Sequence, residues 1–423
     1  MNEGAKEYRE NMTQLIDHKL YLLARKVKRH VRAKLRQLTD PYQKVVSLKP
    51  PTNSRGDVLL SYLLNPFLLP PGQFIPNTHS NHWESVLMAR TFLELNYSVD
   101  VINWRNDLFV PRKPYAFFID VRWNLQRLAP LLSRDCQKLQ HIDVCHILFQ
   151  NAAEASRLLA LQRRRGVTLS PRRFEMPNLA IEFADCATVL GNQFTLDTFR
   201  YANKPLYPVP IISCGCYAWP EGKDFDACRK RFLWFGSAGL VRKGLDLVLE
   251  AFAGMPDCHL TVCGPVRGDE DFEQAYHKEL YETPNIETIG WIDIDGPKFR
   301  DICMNSVAMI YPSCAEGQCG GVITCMHAGL IPVISYESGV DVHDFGMILP
   351  DCSIQEIENA IQRISSLPGK HLEQMARGAW EHARANHTKE KFAQEYRRVI
   401  EHILAPRTPK HKGTEQVMRA ASE

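Results

Sequence analysis

The chain has 423 residues, 45% of them hydrophobic, enough to build two or three buried cores. Its 51 basic and 48 acidic side chains leave a formal charge of +3, too small a bias to imply nucleic acid as a partner. Thirteen cysteines, an odd number without regular spacing, argue against a disulfide framework and for reduced thiols in a cytoplasmic setting.

Residues 1–45 stand apart from the rest. Leu15, Ile16, Leu20, Leu22, Leu23, Val27, Val31 and Leu35 recur at roughly helical spacing, and residues 19–36 carry eight Lys or Arg with no acid. Such a basic amphipathic helix has two open readings. It is either a solvated helix packed on the globular body or a peripheral dock, through residues 15–36, on the anionic inner face of a membrane. The start lacks the apolar core of a signal peptide. The longest apolar stretch, Val58 to Pro71, is interrupted by Asn65 and Pro66 and is too short to span a bilayer.

A first globular unit is expected over residues 46–222. Val58–Leu64, Val99–Asn103, Ala116–Val121, Ile142–His146, Cys186–Leu190 and Leu206–Ile212 read as strands, with helices such as Trp83–Leu95 and Leu148–Arg164 between them. Alternation at this pitch predicts a parallel sheet. Residues 166–178, with Pro171, Arg172, Arg173 and Pro177, read as a basic loop. The segment from Cys214 to Asp226 contains Gly215, Pro220 and Gly222 and reads as a linker.

The second unit, residues 223–404, repeats the rhythm. Strands are predicted at Phe232–Phe235, His259–Cys263, Ile286–Ile289, Ala308–Tyr311 and Ile331–Ile334, and terminal helices at Ile354–Leu367 and Leu372–Leu404 are long enough to cross back onto the first unit. The tail over 405–423 is polar and charged. After the strand ending at Phe235 come the turn Gly236-Ser237-Ala238-Gly239, the pair Arg242-Lys243, and a helix opening at Gly244. After the strand ending at Tyr311 come Pro312-Ser313, then Glu316-Gly317-Gln318-Cys319-Gly320-Gly321 and a helix running to Gly329.

Ligands of open α/β sheets sit beyond the carboxyl ends of the strands. Helix N-termini there offer unpaired N–H groups and partial positive charge, so the openings at Gly244 and at Gly320-Gly321 suit an anion. Lys243 and Arg242 add full charges to phosphate oxygens. An ionised Glu316 only accepts hydrogen bonds, so it suits hydroxyls. Phosphate with hydroxyls points to a diphosphate attached to a sugar.

The run Phe235-Gly236-Ser237 through Arg242-Lys243-Gly244-Leu245-Asp246, and the run Tyr311-Pro312-Ser313-Cys314-Ala315-Glu316-Gly317 through Met326-His327-Ala328-Gly329, resemble the donor-binding half of family 4 glycosyltransferases, also called glycosyl transferases group 1. Upstream, His141–Glu154 and Ala184–Thr198 resemble acceptor-domain segments of a bacterial, polysaccharide-cluster branch. The resemblance implies an α/β architecture of GT-B type: two Rossmann-like, doubly wound domains facing across a cleft, with C-terminal helices crossing back. Two departures stand out. The family's Glu-x(7)-Glu, whose first carboxylate meets the donor sugar and whose second meets the ribose, is here Glu316 with Thr324. The phosphate-clamping arginine just after the strand-end glycine is replaced by Ser237 and Ala238.

The resemblance implies an enzyme, a glycosyltransferase of hexosyltransferase type. It would move a sugar from a nucleotide-sugar donor to a glycan or lipid-linked acceptor, with retention and without metal or cofactor. Ser237, Arg242, Lys243, Gly317, Gly320, Gly321 and Thr324 are the expected donor contacts, and Glu316 and His146 the expected catalytic residues. Asn81 and His82 lie on the acceptor side, where Asn81 serves either as a helix N-cap or as a contact. Asp293-Ile294-Asp295 reads as a turn rather than a metal-holding pair, and Cys214-Gly215-Cys216 lacks a second half with zinc-ligand spacing. Two alternatives stay open: a nucleotide-sugar epimerase on the same fold, and a non-catalytic binding or scaffold protein, the latter motivated by Thr324 and the missing arginine.

Overall fold

The computed structural model describes residues 40–70 and 72–405, with Arg25, Lys28, Arg36 and Thr39, which are helical. The rest of the basic segment expected over 15–36, and the tail after 405, lie outside the described residues.

Two sheets form. The first contains β1 (Val45–Leu48), β2 (Asp57–Tyr62), β3 (Ser98–Asn103), β4 (Phe117–Asp120), β5 (Gln137–Ile142), β6 (Cys186–Leu190) and β7 (Leu206–Val209). Their spatial order is β1-β3-β2-β4-β5-β6-β7, parallel throughout except for β1, which runs antiparallel on the β3 edge. The second contains β8 (Arg231–Phe235), β9 (His259–Cys263), β10 (Ile286–Gly290), β11 (Ala308–Tyr311), β12 (Ile331–Ser335) and β13 (Met347–Leu349). Their order is β10-β9-β8-β11-β12-β13, and all neighbours are parallel. Strands buried on both faces need continuous apolar runs. The wholly buried β11 and β12 have them.

In each sheet the strand order reverses once, at β2/β4 and at β8/β11, and loops at such a switch point part to leave a crevice. Phe232 pairs with Ala308 across β8 and β11, so the two glycine-rich loops that follow these strands emerge side by side.

Several helices bear on the cleft: α1 (Ser80–Glu94), α2 (Ile147–Arg165), α3 (Leu245–Ala253) and α4 (Gly320–His327). At the C-terminus lie α5 (Ile354–Ser366), α6 (Gly369–Asn386) and α7 (Lys389–Leu404). The single helix expected over 372–404 is thus broken at His387-Thr388, where Thr388 caps α7 by accepting from the Lys391 N–H at 3.1 Å. Only α7 crosses back to lie on α1. Arg397 pairs with Glu94 at 3.1 Å, and the Lys389 ammonium stands 3.5 Å from the Trp83 ring centre.

The strand expected at Ile142–His146 does not form. β5 ends at Ile142, and residues 143–146 run as a loop into α2, with His146 as its N-cap. The polar Gln137-Lys138-Leu139-Gln140-His141 stretch is the strand instead, because His141 finds a partner inside the sheet, its Nδ1 2.8 Å from Thr188 Oγ1 on β6. Helix α1 likewise starts at Ser80 with His79 as N-cap, so Asn81 is not the cap. None of the thirteen cysteines is joined in a disulfide. Among the described residues no helix is long and apolar enough to cross a membrane.

Candidate active site

The loop after β8 is shaped by glycines. The Trp234 ring lies beneath it, so a Cβ on Gly236 would come within 2.8 Å of the indole. Gly244 has φ +72°, and a Cβ there would meet the Pro312 carbonyl oxygen at 2.5 Å, so no other residue fits this crossing of the two loops. With Gly244 in place, α3 starts against the end of β11 and delivers Arg242 and Lys243 to Glu316.

The Lys243 ammonium donates to Glu316 Oε1 at 2.7 Å and to the Tyr311 hydroxyl at 2.6 Å. One Arg242 nitrogen donates to both Glu316 oxygens at 3.3 Å, and the other donates to the Ala315 carbonyl. Tyr311 and Ser313 also donate to Glu316, at 3.0 and 3.3 Å. Arg242 is 1% exposed and Lys243 5%. Burial alone would raise the Glu316 carboxyl, but the charges of Arg242 and Lys243 outweigh it and hold the group at about 2. The same carboxylate holds Arg242 above its ordinary value against burial. Burial and the neighbouring Arg242 pull Lys243 down, partly countered by Glu316. The short contact to Glu316 marks it as an ammonium in this resting cluster.

Beyond Glu316 the chain touches the first domain. A Cβ on Gly317 would sit 2.4 Å from the Asp143 carbonyl oxygen, Thr195 donates to the Gly317 carbonyl at 3.1 Å, and the Cys145 N–H donates to the Glu316 carbonyl at 3.1 Å. Helix α4 then opens at Gly320-Gly321 with no side-chain cap from Cys319, leaving first-turn N–H groups for a ligand. Thr324 is buried, and its hydroxyl donates back to the Gly320 carbonyl at 2.8 Å. That bond lies within its own helix. Ser237 is half-buried on the β8 loop.

The first domain buries several polar atoms that lack a partner. Asn81 Oδ1, His82 Nδ1, Glu84 Oε1, Gln140 Oε1 and His141 Nε2 are buried without a hydrogen-bond partner. Tyr62 donates to the other Glu84 oxygen at 2.7 Å. The His146 ring turns toward Phe199 and Tyr201, both at 5.2 Å, with Nε2 3.1 Å from the Tyr201 hydroxyl. There it lines a small cavity with Arg122, Asp143 and Asn178, and burial lowers its basicity.

Glu316, Arg242, Lys243, Gly317, Gly320 and Gly321 therefore share one edge of the cleft, with Ser237 on the adjoining β8 loop. Asn81 and His82 stand in the first turn of α1, next to His79, which is within electrostatic reach of Lys243, and His146 lies to one side in the first domain. Asp293 and Asp295 form a turn: the Asp295 N–H donates to Asp293 Oδ1 at 3.0 Å, and Asn77 reaches across from the first domain to Asp295 at 3.1 Å. Two residues described here carried no separate expectation. Tyr311 stands in the motif itself, whereas Glu84 is marked by nothing in its local sequence.

Residues 229–367 match the family model described as glycosyl transferases group 1. No curated protein matches the chain significantly in sequence. Among solved structures, sucrose-phosphate synthase from Thermosynechococcus elongatus superposes with a TM-score of 0.56 at 15% identity, over 82% of this chain and 99% of that one. Anabaena HepE in complex with UDP and glucose gives 0.52 at 13% identity, over 83% and 99%. Against TarM of S. aureus the TM-score is 0.47 at 12% identity, and the match covers 66% of this chain and 54% of TarM, about half that protein's length. With two doubly wound sheets, a cleft between them and a terminal helix crossing back, the chain has the GT-B fold, and residues 229–367 of its second domain are similar to the glycosyl transferases of group 1.

Proposed function

We propose that the protein is a glycosyltransferase that takes a sugar from a nucleotide-sugar donor bound at the β8/β11 edge of the cleft. The observation that carries this reading is the Glu316 carboxylate held by Lys243 and Arg242 where two loops and a helix N-terminus converge, inside the segment matching the group 1 family. The cluster works as a placeholder. When the donor enters, its diphosphate replaces Glu316 on Lys243, and the freed carboxylate turns to the sugar hydroxyls. Lys243, Arg242 and the N–H groups at Gly320-Gly321 then stabilise the charge that develops on the leaving diphosphate. With fixed cations in that role, transfer needs no metal.

The acceptor enters along Asn81 and His82, each of which has a buried atom without a partner, and reaches toward the cavity beside His146. A glycan or a lipid-linked sugar fits this polar wall. HepE binds UDP and glucose, which makes a uridine diphosphate hexose the first donor to try. Retention of configuration fits a cleft whose one carboxylate at the donor edge is committed to positioning. The basic segment 15–36 would hold the enzyme near an anionic surface that displays such an acceptor.

The test is release of nucleoside diphosphate from a panel of nucleotide sugars, with and without a chelator and with candidate glycans. Release with at least one donor, undiminished by chelator, supports the reading. Isomerised free donor as the product would mark an epimerase. Donor binding with no turnover under any acceptor condition would mark a binding protein.

A further inference from the structure

We propose that Arg173, carried on the first-domain loop 166–178, supplies the phosphate-binding guanidinium that the second domain lacks after Gly236, so that the donor's diphosphate is gripped from both sides of the cleft. This rests on the cleft being a nucleotide-sugar site.

The stem of Arg173 lies on the turn after β8. A Cβ on Gly239 would stand 2.7 Å from Arg173 Cγ and 3.7 Å from Arg242 Nε, so the two arginines flank the same glycine. Arg173 also lies within electrostatic reach of Glu316 and of Arg122. Among the described residues its guanidinium has no hydrogen-bonded or ion-paired partner, and its Nε is buried.

The backbone around it, by contrast, is held at every step. Glu154 accepts from the N–H groups of Arg172 and Arg173 at 2.9 and 3.1 Å. Gln150 donates to the Arg173 carbonyl at 2.7 Å, and Asn151 to the Glu175 carbonyl at 2.7 Å. Arg172, next door, crosses to the second domain and pairs with Asp269 and Asp271 at 2.8 and 2.7 Å. The loop thus fixes where Arg173 stands while leaving its charge unmatched. Arg173, Arg242 and Lys243 stand about Glu316, and Glu175 is the other carboxylate within electrostatic reach of Arg173, so cations outnumber carboxylates. A desolvated excess of positive charge is costly without an anion, and a diphosphate has the charge and the oxygens to match it. Because Arg173 comes from the opposite domain, the anion site is complete only when the domains meet.

The experiment is calorimetric titration of the full chain with uridine diphosphate and with uridine, ADP and GDP being run alongside, for wild type, Arg173→Ala, Arg173→Lys and Lys243→Ala. Arg173→Ala is expected to weaken diphosphate binding roughly ten- to a hundredfold, to leave uridine binding unchanged and to flatten the salt dependence; Arg173→Lys recovers part of the loss. If Arg173→Ala binds the diphosphate like wild type while Lys243→Ala does not, the second domain grips the phosphates alone. The inference then fails and the donor site stands. Equal weakening for uridine and its diphosphate would make the effect structural and also overturn it. If wild type binds none of the nucleoside diphosphates, the donor-site reading falls and the inference falls with it.

Discussion

The Lys243 ammonium lies 2.7 Å from the Glu316 carboxylate, although the two residues come from different loops and both are largely buried. Neither charge would be tolerated there alone. A donor that separates them must therefore provide a partner for each, phosphate for the lysine and hydroxyl for the carboxylate.

Lys243→Ala and Glu316→Ala should each lower the transfer rate about ten- to a hundredfold, the usual effect of losing one charge-assisted contact in a desolvated site. The two differ in what they spare. Lys243→Ala should weaken binding of nucleoside diphosphate itself, whereas Glu316→Ala should spare it and lose the discrimination between sugars. Steady-state kinetics with diphosphate inhibition separates these patterns, and wild-type turnover in both variants would remove the site.

Glu316→Gln should destabilise the unliganded protein by roughly 3 kcal/mol, because it strands Arg242 and Lys243 without their counter-charge. In the wild type the folded carboxyl is held at about 2, below its ordinary 4.5, so its contribution is full above pH 4.5 and is lost as pH falls through about 2. Urea denaturation at pH 7 measures the difference, and an unchanged midpoint would show that the cluster is not tightly coupled.

Acid should loosen the junction between α6 and α7 well before it reaches Glu316. His327 donates to the His387 carbonyl at 3.2 Å, and His387 donates to the Ile211 carbonyl of the interdomain connection at 3.1 Å. Burial depresses both rings from 6.5, to about 4 and about 3. The unfolded chain therefore binds more protons than the folded one below pH 6.5. Stability should fall by about 1.4 kcal/mol per pH unit for each histidine between roughly pH 6.5 and 4. His387→Gln keeps a donor and should remove about half of that slope in denaturation curves taken across this range.

Gly317→Ala tests how closely the domains must approach. Its methyl would meet two first-domain backbone oxygens, Asp143 at 2.4 Å and Leu190 at 2.9 Å, and neither can yield as a side chain would. The expected result is an increase in radius of gyration by small-angle scattering together with at least a tenfold loss of activity. An unchanged radius with full activity would show that the contact is not needed.

Much of this was legible in the sequence, for identifiable reasons. β8, β11 and β12 are short apolar runs, the first two ended by Gly236 and Pro312, and the residues that follow those two act close to where they stand in the chain. β5 was not legible, because Gln137, Lys138, Gln140 and His141 read as polar. Its ladders to β4 and β6, with His141 bonded to Thr188, make that stretch a strand, while residues 143–146 of the more apolar run lie past the sheet. β1 is a four-residue edge strand with no alternation strong enough to announce it. Arg173 stands in a loop that reads simply as basic. Its meaning comes from Gly239, on another domain, and from the acids that take up its neighbour Arg172. Thr324 occupies a position expected to face the donor, yet its hydroxyl closes on Gly320, a choice set by helix geometry rather than by residue type.

The most direct measurement is the melting midpoint of wild type and Lys243→Ala in the presence of uridine, adenosine and guanosine diphosphates and of their hexose conjugates. A ligand held only by the folded state at a hundred times its dissociation constant adds about 2.7 kcal/mol. At least one diphosphate and its sugar conjugate should therefore raise the wild-type midpoint by a few degrees, and the shift should largely vanish in Lys243→Ala. No shift from any of them, or an equal shift in both proteins, would contradict a donor site built on Lys243 and Glu316.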